Sequence, residues 1–231
     1  MWDFEAGEIL AFDKPLHWTS FDVVAKVRYN LCRVLKTKKL KVGHTGTLDP
    51  LATGVVIVCT GKKTKMIEQL QYDVKEYIAT LQLGATTPSY DLEKEIDATY
   101  PTEHITRQLI DEIIPQFVGE QWQVPPMFSA VQINGKRAYE LARKGETVEL
   151  KPKLLVIDEI EILSFDEQMM QLTIRVVCSK GTYIRALARD IGERLHSGAH
   201  LIALRRTRVG DTRVEDCMTI ESFLDKLNAD N

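Results

Sequence analysis

Residues 41–56, KVGHTGTLDPLATGVV, constrain the fold of this chain more than any other segment. Gly43, Gly46 and Gly54 permit tight turns and close approach of a ligand. The overlapping run at residues 54–61, GVVIVCTG, is β-branched, apolar and bounded by glycines, which is typical of a buried strand. The sequence therefore predicts a sheet in which a tightly turning loop leads into a buried strand.

This loop holds a single carboxylate, Asp49, among lysines. An Asp-Pro pair by itself usually marks a simple turn. Here the same stretch also carries Thr45, Thr47 and Thr53, whose hydroxyls can fix the loop or bond phosphate and ribose. The combination of a turning backbone, hydrogen-bond donors and flanking lysines indicates a place where a polyanion is held around one reactive carboxylate.

Charge is separated along the chain, although the net charge is only −3. Residues 33–65 contain eight Lys and Arg against Asp49 alone, and residues 179–208 contain seven against two acids. Residues 91–120 contain eight acids against two bases. If the two basic blocks meet in space, they form a phosphate-binding face. The alternative is three solvated surfaces that never meet.

Composition limits the class of protein. A chain of 231 residues that is 44% hydrophobic and 27% charged can bury a sizeable core. The start, MWDFEAGEIL, carries acids where a signal peptide carries Lys or Arg, and the chain has no long apolar run. The four cysteines lie far apart without a C-x-x-C pair. We therefore expect a soluble, cytoplasmic protein with reduced cysteines, no membrane span and neither zinc knuckle nor disulfide framework.

The apolar spacing predicts an α+β fold. Strands are expected at 8–12, 54–61, 75–84, 153–165 and 169–179, the last two as an antiparallel pair, and helices at 19–35, 64–71, 106–117, after Asn134-Gly135, from about 182, and at 219–227. Thr19 and Asp22 have the spacing of a capping box. Without repeats or linkers, residues 1–231 are expected to form one domain, with a mixed, largely antiparallel sheet and flanking helices.

Other site motifs fail on their spacing. TGKKT near Gly61 lacks the first glycine and the Ser/Thr of a nucleotide-binding loop. His196 and His200 are four residues apart, but no acid follows the first histidine and Ser197-Gly198 weakens a helix there. The chain has no G-x-S-x-G elbow. We therefore expect neither a nucleotide-binding loop, nor a metal site, nor a hydrolase nucleophile elbow.

The loop carries a family resemblance. GHTGTLDPLATGVV resembles the signature of the TruB family of tRNA pseudouridine synthases. Further motifs occur in family order: DKP at 13–15 with TSFDVVAKVR, KEYIA around Tyr77, VPPMFSAVQINGKRAYELARKG, CSKGTYIRALARDIG and AHLIALRRTRVG. The resemblance implies a pseudouridine synthase catalytic domain that isomerises uridine 55 in the T loop of tRNA, with Asp49 as nucleophile and without a metal, nucleotide or redox cofactor.

The resemblance also assigns roles to residues outside the loop. It implies that Tyr77 stacks on an extruded uracil and that Arg185 pairs with Asp49 and keeps the carboxylate ionised. The structural alternative for Tyr77 is an aromatic side chain in the core, and that for Arg185 is an ordinary surface arginine. His44 is expected to approach the RNA where the base leaves the stack.

Three further residues match the family's uridine pocket. The resemblance implies that Tyr183 and Leu204 line the pocket and that Lys14, with Pro15, shapes its floor. The expected partner is the T arm of tRNA, bound by a monomer without an obligate protein partner. A synthase acting on ribosomal or other RNA, and a non-catalytic RNA-binding or tRNA-folding protein, remain as alternatives.

The chain departs from the family pattern in three places. His17 stands where the family usually has glycine. TPSYDLEKE replaces an acidic family stretch, so the resemblance supports a contact of Asp91 with the active-site arginine less than it supports the other roles. The chain also stops about twenty residues after RRTRVG, which predicts that residues 1–231 lack a separate C-terminal PUA-like RNA-binding module and make fewer acceptor-stem contacts.

Overall fold

A computed structural model describes residues 2–129, 131–133, 135–144 and 149–229. The strands are β1 Ile9–Lys14, β2 Val42–His44, β3 Ala52–Thr60, β4 Lys75–Leu83, β5 Ala85–Thr86, β6 Ala98–Thr99, β7 Gly119–Gln123, β8 Gln132–Ile133, β9 Lys136–Arg137, β10 Lys153–Asp166, β11 Gln171–Cys178, β12 Ala199–Val209 and β13 Thr212–Arg213. The helices are α1 Ser20–Val34, α2 Ile67–Leu70, α3 Arg107–Ile113, α4 Ala138–Arg143, α5 Ile184–Arg194 and α6 Ile220–Ala229, with 3₁₀ turns at Gly61–Met66, Ile114–Phe117 and Val214–Asp216.

The chain divides into two compact units. Unit 1 contains the residues up to Tyr77 and those from Leu204 onward, and unit 2 contains Ile78–Ala203. The boundaries fall within β4 and β12, so each of these strands contributes residues to both units. The expectation that residues 1–231 act as one catalytic domain stays a prediction.

In unit 1, β3 pairs with three other strands along its length. It pairs antiparallel with β1 and with β2, and parallel with residues 204–206 of β12. The side chains from Val55 to Thr60 are all buried, as expected for a β-branched run covered on both faces. The predicted buried strand is confirmed, and its first residues, Ala52–Gly54, receive the chain directly from the Asp49 loop.

Helix α1 follows from its cap and its apolar stripe. The Thr19 side chain accepts from the Asp22 backbone N–H, and the Asp22 carboxylate accepts in return from the Thr19 N–H, which confirms the capping box. The buried face of the helix carries Val23, Val24, Val27 and Leu31. In the same unit, Phe12 and Phe223 pack edge to face with ring centroids 5.3 Å apart.

Unit 2 contains the long antiparallel hairpin of β10 and β11, and β7 pairs antiparallel with β10. This confirms the predicted pair of strands, although β11 begins at Gln171 because Met170 adopts a left-handed turn conformation with φ of 51°. In β4, alternate side chains are buried, as its sequence predicts. With flanking helices and mostly antiparallel pairs, the predicted α+β class is confirmed.

Several boundaries differ from the prediction. Helix α5 begins at Ile184 rather than about 182, because the Thr182 hydroxyl donates to the Ser179 carbonyl in a turn. The predicted helix at 106–117 ends in a 3₁₀ turn at Ile114–Phe117, where Pro115 cannot donate a backbone hydrogen bond. Asn134 of the predicted turn lies outside the described residues, whereas β8 and β9 flank it as a hairpin.

Candidate active site

The Asp49 loop joins β2 to β3 within unit 1. Its entrance is fixed by the Thr45 N–H, which donates to the Ile57 carbonyl at 3.0 Å. At its centre the Leu48 N–H donates to the Ser20 hydroxyl at 2.8 Å, and Leu48 is buried. At its exit the Ala52 N–H donates to the Asp49 carbonyl at 3.0 Å. These contacts hold Asp49 in a tight turn with its side chain half-buried.

Arg206 of β12 contacts the backbone on both sides of this turn. Its Nε donates to the Val55 carbonyl at 2.7 Å, and its Nη2 donates to the Gly46 carbonyl at 3.2 Å. The residue is buried, with 2% of its surface exposed. Sequence reasoning missed it, since RRTRVG contains three arginines and residue type alone does not tell which one points inward.

Lys14, the last residue of β1, is also fully buried. Its Nζ donates to the Pro15 carbonyl at 2.9 Å and approaches the Pro50 carbonyl, next to Asp49, at 3.5 Å. Burial lowers the pKa of Lys14 from 10.5 to about 8, and Arg206 acts in the same direction, whereas the negative charge of Asp49 opposes the shift. Lys14 therefore lies within electrostatic reach of the Asp49 carboxylate.

This lowered pKa gives a pH signature. The folded chain releases the Lys14 proton near pH 8, whereas the unfolded chain keeps it to about pH 10.5, so between these values the unfolded state binds more protons and the free energy of unfolding rises with pH. We expect the difference in unfolding free energy between wild type and Lys14→Met, measured by urea titration, to shift in favour of wild type between pH 8 and 10. Lys26→Met, at an exposed position of α1, is the control and should give a flat difference. A flat difference for Lys14→Met would contradict the assignment.

His44 ends β2 at the start of the loop. Its Nδ1 is buried and has no hydrogen-bond partner among the described residues. Burial lowers the pKa of His44, and the nearby charge of Arg206 acts in the same direction. The imidazole is therefore mainly neutral at pH 7, and the expectation that it positions the RNA rather than acting as a general base stays a prediction.

The departure from the family pattern at His17 falls on a strained backbone position. This residue adopts φ of 68°, in the left-handed region where glycine is favoured. Its N–H donates to the Pro50 carbonyl at 2.8 Å, so the strained residue contacts the Asp49 turn directly. Histidine here keeps the backbone course that glycine would allow without strain.

The Asp49 loop lies within a segment of the chain that matches a sequence model of a known family. The sequence model of the TruB family of pseudouridylate synthases (N-terminal domain) matches residues 33–184, and that of the tRNA pseudouridylate synthase B C-terminal domain matches residues 185–231. The chain belongs to the TruB family. It is thus a member of a family of isomerases.

Curated relatives resemble this TruB-family chain over nearly its whole length. The tRNA pseudouridine synthase B of Phocaeicola vulgatus is 69% identical over 221 residues, which cover 96% of this chain and 93% of the relative. The tRNA pseudouridine synthase B of Flavobacterium johnsoniae is 51% identical over 97% of this chain and 98% of its own length.

Solved structures share the fold. A chain of the Cbf5–Nop10–Gar1 complex superposes with a TM-score of 0.70 at 28% identity. A chain of the archaeal box H/ACA sRNP Nop10–Cbf5 complex gives 0.68 at 27%. The TruB-family chain is covered to 96% and 97% in these comparisons, and it spans 54% and 55% of the two longer chains.

Two more residues that the resemblance assigned to the site of this TruB-family protein lie in unit 1. Tyr77 lies on β4 with its side chain buried. Leu204 lies half-buried on β12, where it pairs in parallel register with Ala52 at the exit of the Asp49 loop. Lys14, His44, Asp49 and Leu204 are thus all carried by elements that pair with β3 or lead into it.

The other two assigned residues, Tyr183 and Arg185, lie in unit 2 of the TruB-family chain. The backbone N–H of Tyr183, the N-cap of α5, donates to the Gln123 side chain at 2.9 Å. Arg185 is buried, donates to the Ser89 carbonyl at 3.1 Å, and lies 3.7 Å from the Asp91 carboxylate. The Asp91 contact is thus present despite the altered acidic stretch. The ion pair of Arg185 with Asp49 would join the two units and stays a prediction.

Among the described residues of this TruB-family protein, no three His, Cys, Asp or Glu side chains are grouped as metal ligands. None of the described helices combines the length and the apolar character that a bilayer span requires.

Proposed function

We propose that this protein isomerises uridine 55 in the T loop of tRNA to pseudouridine and that Asp49 is the nucleophile. One observation carries the proposal: a half-buried carboxylate lies in a turn fixed by Ser20 and Arg206, with the Lys14 cation close by. The names of the bacterial relatives, tRNA pseudouridine synthase B, support tRNA as the substrate class.

The reaction needs one carboxylate and no net oxidation. The bond between uracil N1 and ribose C1′ breaks, the base turns, and a bond forms between C5 and C1′. The proton displaced from C5 is balanced by the proton that N1 gains. Asp49 can attack the ribose or the base covalently and is released when the new bond has formed, as in a retaining glycosidase.

The base must leave the stack before it reacts. In this proposal Tyr77 stacks on the extruded uracil, Tyr183 and Leu204 line the pocket, and His44 approaches the RNA at the vacated position. Arg185 is the proposed ionic partner that keeps Asp49 oriented. Its contacts with the Ser89 carbonyl and the Asp91 carboxylate support a guanidinium held in one orientation.

The phosphates of the T arm need a basic surface, and unit 1 offers one. We define the lysine ridge as the exposed residues Lys36, Lys38, Lys39, Lys41, Lys62 and Lys65. The Gly61 N–H donates to the Lys41 carbonyl at 2.9 Å, which brings the two lysine-bearing segments side by side. Clustered lysines of this kind bind phosphates without reading sequence. Whether the second basic block joins this surface stays a prediction.

The lysine ridge makes a salt-dependent prediction. We expect the double variant Lys41→Gln/Lys62→Gln to weaken tRNA binding and to reduce the slope of log K against log salt by about 1 per lysine. Each phosphate contact that is lost removes the counterion release that accompanied it. The control, Arg107→Gln/Lys226→Gln, removes the same charge from exposed positions on α3 and α6. Binding is measured by anisotropy between 50 and 200 mM KCl, the range in which such slopes are resolved. Equal slopes for both variants would argue against the ridge.

The experiment for the function uses an unmodified tRNA transcript. After incubation, pseudouridine is mapped by carbodiimide-dependent stops in primer extension, and we expect one new stop in the T loop. A ribosomal RNA hairpin is tested in parallel. Modification of the hairpin in place of the T loop would favour a ribosomal RNA synthase, and tight tRNA binding without any new stop would favour a non-catalytic RNA-binding protein.

A further inference from the structure

Arg206 differs from the other arginines of its strand in what it contacts. Its guanidinium donates to three backbone carbonyls: Val55 at 2.7 Å, Gly46 at 3.2 Å and Thr47 at 3.5 Å. Arg205, the preceding residue, instead pairs with the Asp13 carboxylate and is 40% exposed in its side chain. Successive side chains of a strand point to opposite faces, so Arg205 and Arg206 lie on opposite faces of β12, and Arg206 is the buried one of the two. Arg208, two residues further on, is only half-buried and lies 3.8 Å from the Glu76 carboxylate.

The three carbonyls lie on both sides of Asp49 in the chain. Gly46 and Thr47 precede the carboxylate, and Val55 follows it at the start of the buried part of β3. A guanidinium is planar and presents its donors in a rigid fork, so one side chain can fix the spacing between both ends of the loop. A lysine ammonium is a point charge on a flexible stem and cannot reproduce that span.

A buried cation at this position needs a reason. Burial of a charged group is costly unless it is fully hydrogen-bonded, and an apolar side chain could fill the same space. Arg206 also adds positive charge beside two groups of the same loop region, since it lowers the pKa of both Lys14 and His44. The guanidinium thus combines a fixed loop geometry with a positive potential where Asp49 is placed.

We propose that Arg206 is a positioning residue that closes the Asp49 loop and holds the carboxylate in its reactive place. The role in the reaction rests on the proposed function, whereas the closure of the loop does not. Misplacement of a reacting group by about 1 Å can cost about 100-fold in rate. Loss of this arginine is therefore expected to affect turnover more than substrate binding.

The first test measures the loop itself. Hydrogen exchange is followed at the amides of Leu48 and Ala52, whose hydrogen bonds to the Ser20 hydroxyl and the Asp49 carbonyl depend on a closed loop. In Arg206→Met we expect exchange at these two amides to quicken by at least about tenfold, while amides in α6 stay unchanged. Unchanged exchange at Leu48 and Ala52 would overturn the proposal, whatever reaction the protein catalyses.

The second test separates positioning from stability. In tRNA turnover we expect kcat to fall about 100-fold in Arg206→Met and about tenfold in Arg206→Lys, with KM within about threefold of wild type. Arg213→Met, at an exposed position, is the matched arginine control. Phe223→Leu destabilises the core of unit 1 away from the loop. If kcat falls equally in Arg206→Met and in an equally destabilised Phe223→Leu, or stays within threefold of wild type, the positioning role is wrong.

These measurements also distinguish failure of the proposed function from failure of the inference about Arg206. If wild type forms no pseudouridine in any tRNA transcript, the substrate and reaction are wrong, and the exchange experiment alone decides the role of Arg206. If wild type is active and the exchange is unaffected in Arg206→Met, the function stands and the inference about Arg206 falls.

Discussion

Asp49→Asn is expected to abolish pseudouridine formation, with a rate loss of at least about 10⁴-fold, while T-arm binding stays within about tenfold of wild type. Asparagine has nearly the same shape as aspartate, so the turn at Pro50 and the loop contacts of Leu48 and Ala52 can persist. The amide cannot act as the nucleophile. It also removes a negative charge that would face phosphates, which leaves binding equal or slightly tighter.

Three measurements check this expectation. Pseudouridine is quantified by nucleoside analysis under single-turnover conditions, binding by fluorescence anisotropy, and folding by urea titration. Asp211→Asn, an exposed acid of unit 1, is the control and should retain full activity. Normal turnover by a folded Asp49→Asn protein would exclude Asp49 as nucleophile, and a binding loss far beyond tenfold would assign it to substrate recognition instead.

Gly54→Ala is expected to have the largest effect on stability, with a loss of about 4 kcal/mol in the free energy of unfolding. Gly54 has φ of +109°, a conformation that residues with a Cβ rarely adopt. A Cβ built there would lie 2.1 Å from the Arg206 carbonyl oxygen, far inside contact distance. Because this neighbour is backbone of the paired strand β12, relief would require the β3–β12 pairing to open.

Gly119→Ala is the matched control. Gly119 also has a positive φ, of +94°, but a Cβ there would meet nothing within 4 Å. It should cost only the conformational strain, about 1–2 kcal/mol. The difference between the two variants, measured by urea unfolding, therefore isolates the close approach of β12. Equal losses would show that the approach at Gly54 contributes nothing. We also expect residual folded Gly54→Ala to be poorly active, since Gly54 pairs in register with both Lys14 and Arg206.

The parts of this fold that could be predicted from the sequence are those with local causes. The capping box of α1 depends on residues three apart, and the β-branched run of β3 can be recognised as a buried strand from its composition alone. The strand β12 was not assigned, because its apolar start is followed by the basic segment LRRTR. Its pairing with β3 is parallel and distant in sequence, and no local pattern specifies such a partner.

The same distinction applies to the site. The Asp49 loop and the residues that match the family could be found from motifs. Arg206 could not, because arginine is ordinarily exposed and its burial depends on the pairing of β12 with Gly54. For Lys14 the family motif implies a pocket floor, whereas its full burial and its contacts with the Pro15 and Pro50 carbonyls depend on the tertiary fold.

The arginine that closes the Asp49 loop has an implication for biosynthesis. The loop is translated early, whereas Arg206 lies in the last tenth or so of the chain, and its strand supplies the parallel partner of Ala52–Gly54. A nascent chain that ends before residue 206 lacks the guanidinium that bonds the Val55, Gly46 and Thr47 carbonyls, so it cannot complete the contacts around the Asp49 carboxylate. Premature termination before Arg206 would therefore leave these loop contacts incomplete, so an ordered Asp49 loop requires nearly full-length synthesis.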